Sequence, residues 1–232
     1  MDNGFNLKED RITFDCMPED MQMTDAGFNA LMGCTILWGL ICNFFICMFL
    51  EVQVFNFVAA HPLLFILGYF ALAFLGAIII SGTENALIAF LGFNLICLPI
   101  GALLSVYVSQ YTALSISYVC LLTGIIVVIM ATISTVFPEY FCSLGHILLI
   151  ALISIVLVEG TLVFFLSYDG HVIDYAVVAL FSLYIGYDWY CSQRYAATPY
   201  NAISCATDLY LDIINIFVRL LAILGKKKRL NT

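Results

Sequence analysis

Long apolar runs separated by short polar breaks cover most of the 232-residue chain. Each run is about 20 residues long, the length of helix that crosses the hydrocarbon core of a bilayer. Backbone polar groups inside lipid must be paired within their own segment, so the runs are predicted to be helices and not the strands of a barrel. The pattern predicts an all-α polytopic membrane protein with seven spans, at about 27–50, 62–81, 86–108, 112–134, 146–166, 171–190 and 205–224.

The composition agrees with a membrane protein and excludes an ordinary soluble domain. Apolar residues make up 63% of the chain and charged residues 10%, against about 45–50% and about 25% in soluble domains. Three regions are predicted: an acidic N-terminal segment at 1–26, one transmembrane domain at 27–225, and a basic tail at 226–232. Such a tail normally lies on the cytosolic side, beside anionic lipid. We therefore expect the lipid bilayer as a partner and no nucleic acid.

Few ionisable residues fall inside the predicted spans, and each is a functional candidate because a charge at bilayer depth is costly. Four polar side chains of the seventh span lie within a sector of about 60° at 100° per residue. This polar stripe cannot face lipid, so the seventh helix is expected to be surrounded by the other six. The stripe consists of Asp208, Asp212, Asn215 and Arg219, and the other candidates are Glu159 on the fifth span with Asp174 and Asp188 on the sixth.

Asp188 and Asp212 form the main candidate site. Two carboxylates at membrane depth disfavour double ionisation and titrate as a unit. A shared proton would lock the two helices together, and its loss would free oxygens that suit a hard cation such as Ca²⁺. Two interpretations stay open for Arg219, which either takes part in function or neutralises an aspartate in a buried ion pair. Glu159 is equally well explained as a protonated side chain in a hydrogen bond between helices.

The carboxyl end of the chain resembles the Bax inhibitor-1 family, also called the transmembrane Bax inhibitor motif or lifeguard proteins. The resemblance lies in residues 184–190, with the sequence YIGYDWY, and 208–225, with the sequence DLYLDIINIFVRLLAILG. Residues 81–99 are similar to the third helix of that family, and the layout of runs matches over about 27–225.

The resemblance implies a seven-helix fold with the seventh helix central. It also implies a pH-sensitive calcium leak with a di-aspartyl sensor at Asp188 and Asp212, which would then be possible contacts for the ion. Calcium ions and protons are the partners expected on this basis, and calcium is the transported species. We expect neither enzymatic activity nor a cofactor. The family is associated with suppression of cell death and with calcium handling in the endoplasmic reticulum or Golgi, and its bacterial members sit in the cytoplasmic membrane.

Two departures from the family pattern bear on gating. Trp189-Tyr190 stands where many members have Thr-Gln, and residues 62–81 lack the arginine that latches the closed state in some members. A closing contact would have to be built differently, with Arg219 or Arg194 as candidates.

Other functions and another topology are compatible with the sequence. An intramembrane aspartyl protease also uses two aspartates, but it expects Gly-x-Gly-Asp before the second one, where this chain has Leu209-Tyr210-Leu211. A non-conducting membrane scaffold or cell-death regulator is the third candidate. The seventh segment could also be re-entrant, although the resemblance favours seven full spans. Short loops and the absence of a sorting motif favour a bacterial cytoplasmic membrane, and a eukaryotic member would sit in the endoplasmic reticulum or Golgi.

Overall fold

The computed structural model describes residues 22–166 and 171–228, and within these two ranges the regular structure is entirely helical. Most of the predicted acidic segment and the last residues of the basic tail lie outside the described residues. The helices are α1 (Asp25–Phe49), α2 (Glu51–Ala60), α3 (Pro62–Ser81), α4 (Ala86–Val108), α5 (Ala113–Val136), α6 (Pro138–Cys142), α7 (Gly145–Leu166), α8 (Val172–Ser192) and α9 (Pro199–Leu224).

Six of these helices are long and apolar enough to cross a membrane, namely α1, α3, α4, α5, α7 and α8. This confirms a multi-pass, all-helical membrane protein and the approximate positions of the first six spans. The helix α9 is not among the six, although at 26 residues it is the longest helix in the described ranges. The seven-helix count and the central position of the last helix stay predictions.

Three helices differ from the sequence pattern. The five-residue helix α6 lies in the predicted break between the fourth and fifth spans. The polar break at 51–61 contains α2, a 10-residue helix with no buried residue, because its sequence holds no glycine or proline before His61-Pro62. The last helix begins at Pro199, six residues before the apolar run. Proline suits the first helical position, and the Thr198 hydroxyl accepts a hydrogen bond from the backbone N–H of Asn201 at 3.2 Å. Polar helix starts of this kind are invisible to a search for apolar runs.

The described residues form two compact units, the first comprising residues 22–110 together with 194–207. Here α4 packs on both α1 and α3. The crossing of α3 and α4 is close because Gly76 and Gly92 face each other's backbone. Gly101 leaves similar room for Asn43 of α1. Small residues at such crossings let helices approach in a bilayer, where no hydrophobic effect drives them together.

The second unit comprises residues 111–166, 171–193 and 208–228. Its helix α8 packs along α5 and α7. The end of α9 lies beside the start of α5, because the Thr112 amide donates to the Lys226 carbonyl at 2.9 Å and the Lys226 amide donates to Ser115 Oγ at 3.0 Å. This unit holds every candidate site residue except Arg194.

Candidate functional site

The last turns of α8 are fixed by contacts on both sides of Asp188. The Ser134 hydroxyl donates to the Gly186 carbonyl, and the Trp189 indole N–H donates to Thr135 Oγ1 at 2.9 Å. Ser134 and Thr135 both lie at the end of α5. Gly186 has no room for a Cβ because the ring of Phe141 lies against it. The backbone that carries Asp188 is therefore held in place by its neighbours.

Asp188 of α8 and Asp212 of α9 lie within hydrogen-bonding distance of each other through their carboxyl groups. Asp212 is only 5% exposed, and within the described part of the chain its Oδ2 has no hydrogen-bond partner. Two ionised carboxylates repel each other and have no proton to donate, so this arrangement favours a state in which one of the two groups is protonated. The structure thus brings together the two aspartates that the sequence pattern selected.

The surroundings of the pair add negative charge and one phenol. Asp208 is exposed one turn before Asp212 and interacts with it electrostatically. Tyr184 lies one turn before Asp188, and its phenol interacts electrostatically with the carboxylates of both Asp188 and Asp212. Asn215 uses its side-chain amide within its own helix, donating to the Leu211 carbonyl at 2.9 Å. The sequence pattern did not select Tyr184.

Arg219 forms a separate ionic cluster with carboxylates from two other helices. Its Nη2 lies 2.7 Å from Glu159 Oε2 on α7, and its Nη1 lies 2.8 Å from Asp174 Oδ1 on α8. The second oxygen of Asp174 lies 3.1 Å from His171 Nδ1. Arg219 is thus paired with an aspartate and a glutamate of other helices and not with Asp212, and whether it takes part in function or only neutralises charge stays a prediction. This also gives Glu159 an ionic partner in place of the neutral hydrogen bond considered above.

Arg194 is exposed after the end of α8 and belongs to the first unit, so its part in a closing contact stays a prediction. In residues 22–166 and 171–228, no three His, Cys, Asp or Glu side chains are grouped so as to hold a metal ion. The expected contact of Asp188 and Asp212 with calcium also stays a prediction.

Sequence reasoning missed the residues that position the site. Ser134 and Thr135 lie in an apolar run, where a hydroxyl usually bonds to the carbonyl four residues earlier, as Thr135 also does with Ala131. Trp189 was visible only as a departure from a family pattern. Its partner depends on which helices are neighbours, and hydrophobic periodicity carries no such information.

Six apolar helices that are long enough to cross a bilayer, together with ion-paired side chains on the helices of the second unit, define a polytopic membrane protein. The family model described as inhibitor of apoptosis-promoting Bax1 matches residues 23–229. The chain therefore belongs to the Bax inhibitor-1 family, which confirms the resemblance seen in its carboxyl end. No curated protein and no solved structure gives a significant match.

Proposed function

We propose that this protein is a pH-sensitive calcium leak channel gated by the pair of Asp188 and Asp212. The observation that carries the proposal is the contact between these two carboxyl groups from different helices, at a position where Asp212 is 5% exposed. Family membership supports the same function. On this proposal the protein is not an enzyme, calcium is its transported species, and no cofactor takes part.

The mechanism follows from the charge of the pair. With one shared proton, the hydrogen bond holds α8 and α9 together. Without it, two unit charges about 4 Å apart repel each other by about 4 kcal/mol at an effective dielectric constant of about 20. That energy is enough to change a two-state equilibrium by about a thousandfold. The freed oxygens are hard ligands that suit Ca²⁺, and a channel needs them to bind the ion only weakly.

We also propose that α9 crosses the membrane completely and forms the seventh span. The ends of α5 and α8 lie together, since Ser134 bonds to Gly186, and Asp212 lies beside that end of α8. The chain after α9 is bonded at the opposite end of α5, where Lys226 meets Thr112. A helix of 26 residues is about 39 Å long at 1.5 Å per residue, which is more than a hydrocarbon core requires. These contacts favour a full span over a re-entrant segment.

The test is calcium flux into liposomes that contain the purified protein and an indicator, measured from pH 5 to pH 8. The wild-type leak should increase with pH as the shared proton is lost. Asp212→Asn and Asp188→Asn should each leak at a rate that no longer follows pH, because an amide keeps a hydrogen-bond donor in the pair permanently. Glu139→Gln is the matched control, since Glu139 is an exposed carboxylate of the same unit outside both clusters, and it should behave as wild type.

Three outcomes would contradict the proposal. An inert wild type at every pH would favour the non-conducting scaffold. A leak whose pH response is the same in wild type and in both aspartate variants would remove the pair from gating. Cleavage of a membrane-embedded peptide that both aspartate variants abolish would favour the protease. For the native membrane we propose the bacterial cytoplasmic membrane, with the endoplasmic reticulum or Golgi as the alternative in a eukaryote.

A further inference from the structure

In the first unit, the crossing of α1 and α4 brings a cysteine of α4 against the backbone of α1. The Cys97 sulfur lies 3.7 Å from the Gly39 carbonyl oxygen and 3.9 Å from Asn43 Oδ1. Gly39 is buried, and a Cβ at Gly101, one turn after Cys97, would overlap Asn43. Small residues on both helices therefore allow the two backbones to approach closely at this point.

A second thiol lies on the same face of α1. Cys42 is three residues after Gly39 and four before Ile46, whose side chain also lies at the contact with Gly101. Positions three and four apart share one face of a helix. The Cys42 and Cys97 side chains form a hydrogen bond with each other, and both cysteines are free thiols. Two reduced sulfur atoms from different helices are thus held side by side.

The two thiols differ in accessibility. Cys97 is 0% exposed, whereas Cys42 is half-buried. The neighbours Ile41 and Phe45 on α1 are exposed apolar side chains, so the open side of Cys42 is expected to face lipid. An oxidant dissolved in the membrane can therefore reach Cys42 first and finds Cys97 directly behind it. An oxidised cysteine beside a second thiol condenses with it to a disulfide.

We propose that Cys42 and Cys97 are a redox-sensitive pair that a membrane-soluble hydroperoxide converts to a disulfide between α1 and α4. The Cys42 sulfur attacks the outer peroxide oxygen, the O–O bond breaks, and an alcohol leaves with the thiol proton. The Cys97 sulfur then attacks the resulting sulfenic acid, the S–S bond forms, and the hydroxyl leaves as water with the second thiol proton. Two thiols are oxidised by two electrons, and the hydroperoxide is reduced to an alcohol and water.

The surroundings suit the product of this reaction. A disulfide has no charge and leaves no donor unpaired, so burial between membrane helices carries little cost. It requires Cα atoms about 4.4–6.8 Å apart, and the close crossing at Gly39 and Gly101 favours such a separation. Thiolate is scarce in apolar surroundings, so the reaction should be slow and should depend on the proximity of the two sulfur atoms.

The first experiment identifies the link by mass spectrometry. Purified protein in liposomes is incubated with cumene hydroperoxide, denatured, alkylated at the remaining thiols and digested. Wild type should give one cross-linked pair of peptides that contains Cys42 and Cys97, and dithiothreitol should separate the pair. Cys34→Ser is the matched control, because Cys34 is an exposed cysteine of the same helix, and this variant should form the same link. Cys42→Ser should form none.

Three results of this experiment would overturn the proposal. The first is that Cys42 and Cys97 both stay open to alkylation after prolonged oxidation. The second is that they end as sulfinic acids without a link. The third is that they join other cysteines as often as they join each other, since random pairing would not reflect the contact in the folded protein.

The second experiment measures the effect of the link on the folded protein, and neither experiment depends on the proposed leak. A cross-link that closes a long stretch of chain restricts the unfolded state, so oxidised wild type should unfold several degrees above reduced wild type. Dithiothreitol should reverse the shift, and oxidised Cys42→Ser should show no shift. If that variant does not fold, Cys42→Ala replaces it. Equal midpoints for linked and reduced wild type would refute a link between folded helices.

Discussion

Replacing Thr135 with valine is expected to loosen the end of α8 that carries Asp188. Valine has the shape of threonine but no hydroxyl, so the Trp189 indole N–H loses its acceptor at 2.9 Å. Thr132→Val is a matched control one turn earlier on α5. Both hydroxyls bond to the carbonyl four residues before them, at 2.8 Å from Thr135 and 2.7 Å from Thr132. The two variants therefore differ by the hydrogen bond to Trp189.

The size of the difference follows from the cost of one hydrogen bond. A hydrogen bond contributes about 0.5–1.5 kcal/mol, and polar contacts between membrane helices average about 0.6 kcal/mol. The free energy of unfolding of Thr135→Val should be lower than that of Thr132→Val by this amount. If the loosened turn favours separation of the aspartate pair by the same energy, the leak at a fixed pH should increase by about two- to tenfold.

Thermal and denaturant unfolding in detergent measure the first effect, and the liposome assay measures the second. Trp189→Phe completes a double-mutant cycle with Thr135→Val, because phenylalanine keeps an aromatic ring and removes the donor. The coupling energy isolates this one contact when each substitution creates no other. Equal stability of the two threonine variants, together with a coupling energy of zero, would refute the reasoning.

Two further predictions concern the first unit. Gly76→Ala should lower the free energy of unfolding by about 1–3 kcal/mol relative to the control Gly68→Ala on the same helix. A Cβ at position 76 would overlap the facing backbone of α4, whereas there is open space at position 68. Equal thermal stability of the two variants would contradict the close crossing of α3 and α4. Tyr200→Phe should destabilise the protein by about 0.5–1.5 kcal/mol. The Tyr200 hydroxyl donates at 2.9 Å to the Ile80 carbonyl, which is too near the end of α3 to have a partner within that helix. If this variant unfolds at the same denaturant concentration as wild type, the hydrogen bond contributes nothing to stability.

The fold was predictable from sequence where apolarity alone decides it. The six apolar runs became helices close to their predicted limits, since lipid leaves a long apolar segment few other structures. The helix α2 and the first turns of α9 were not indicated, because polar residues interrupt their sequences. Their boundaries depend on capping and on proline, as Thr198 and Pro199 show.

The contacts of the candidate site were likewise predictable from the sequence only in part. The contact of Asp188 with Asp212 could be expected, because both positions lie on polar faces and a family resemblance paired them. The partners of Arg219 could not be expected in full. Helical periodicity placed Arg219 near Asp212 on its own helix, but its ionic contacts are with Glu159 and Asp174. Which helices are neighbours, and at what depth, is a property of packing that the sequence of one helix does not contain.

Two of the polar residues that distinguish α9 from the six apolar helices have side-chain partners within the second unit. Asp212 meets Asp188 of α8, and Arg219 meets carboxylates of α7 and α8. A charge that faces lipid is costly, so α9 can be membrane-embedded only with these partners beside it. One prediction separates a functional face from mere packing. Neutralising Arg219 together with Glu159 and Asp174 should leave the midpoint of thermal unfolding in detergent close to that of wild type, because no charge is then left without a partner. A large loss of stability would mean that the cluster is needed for packing.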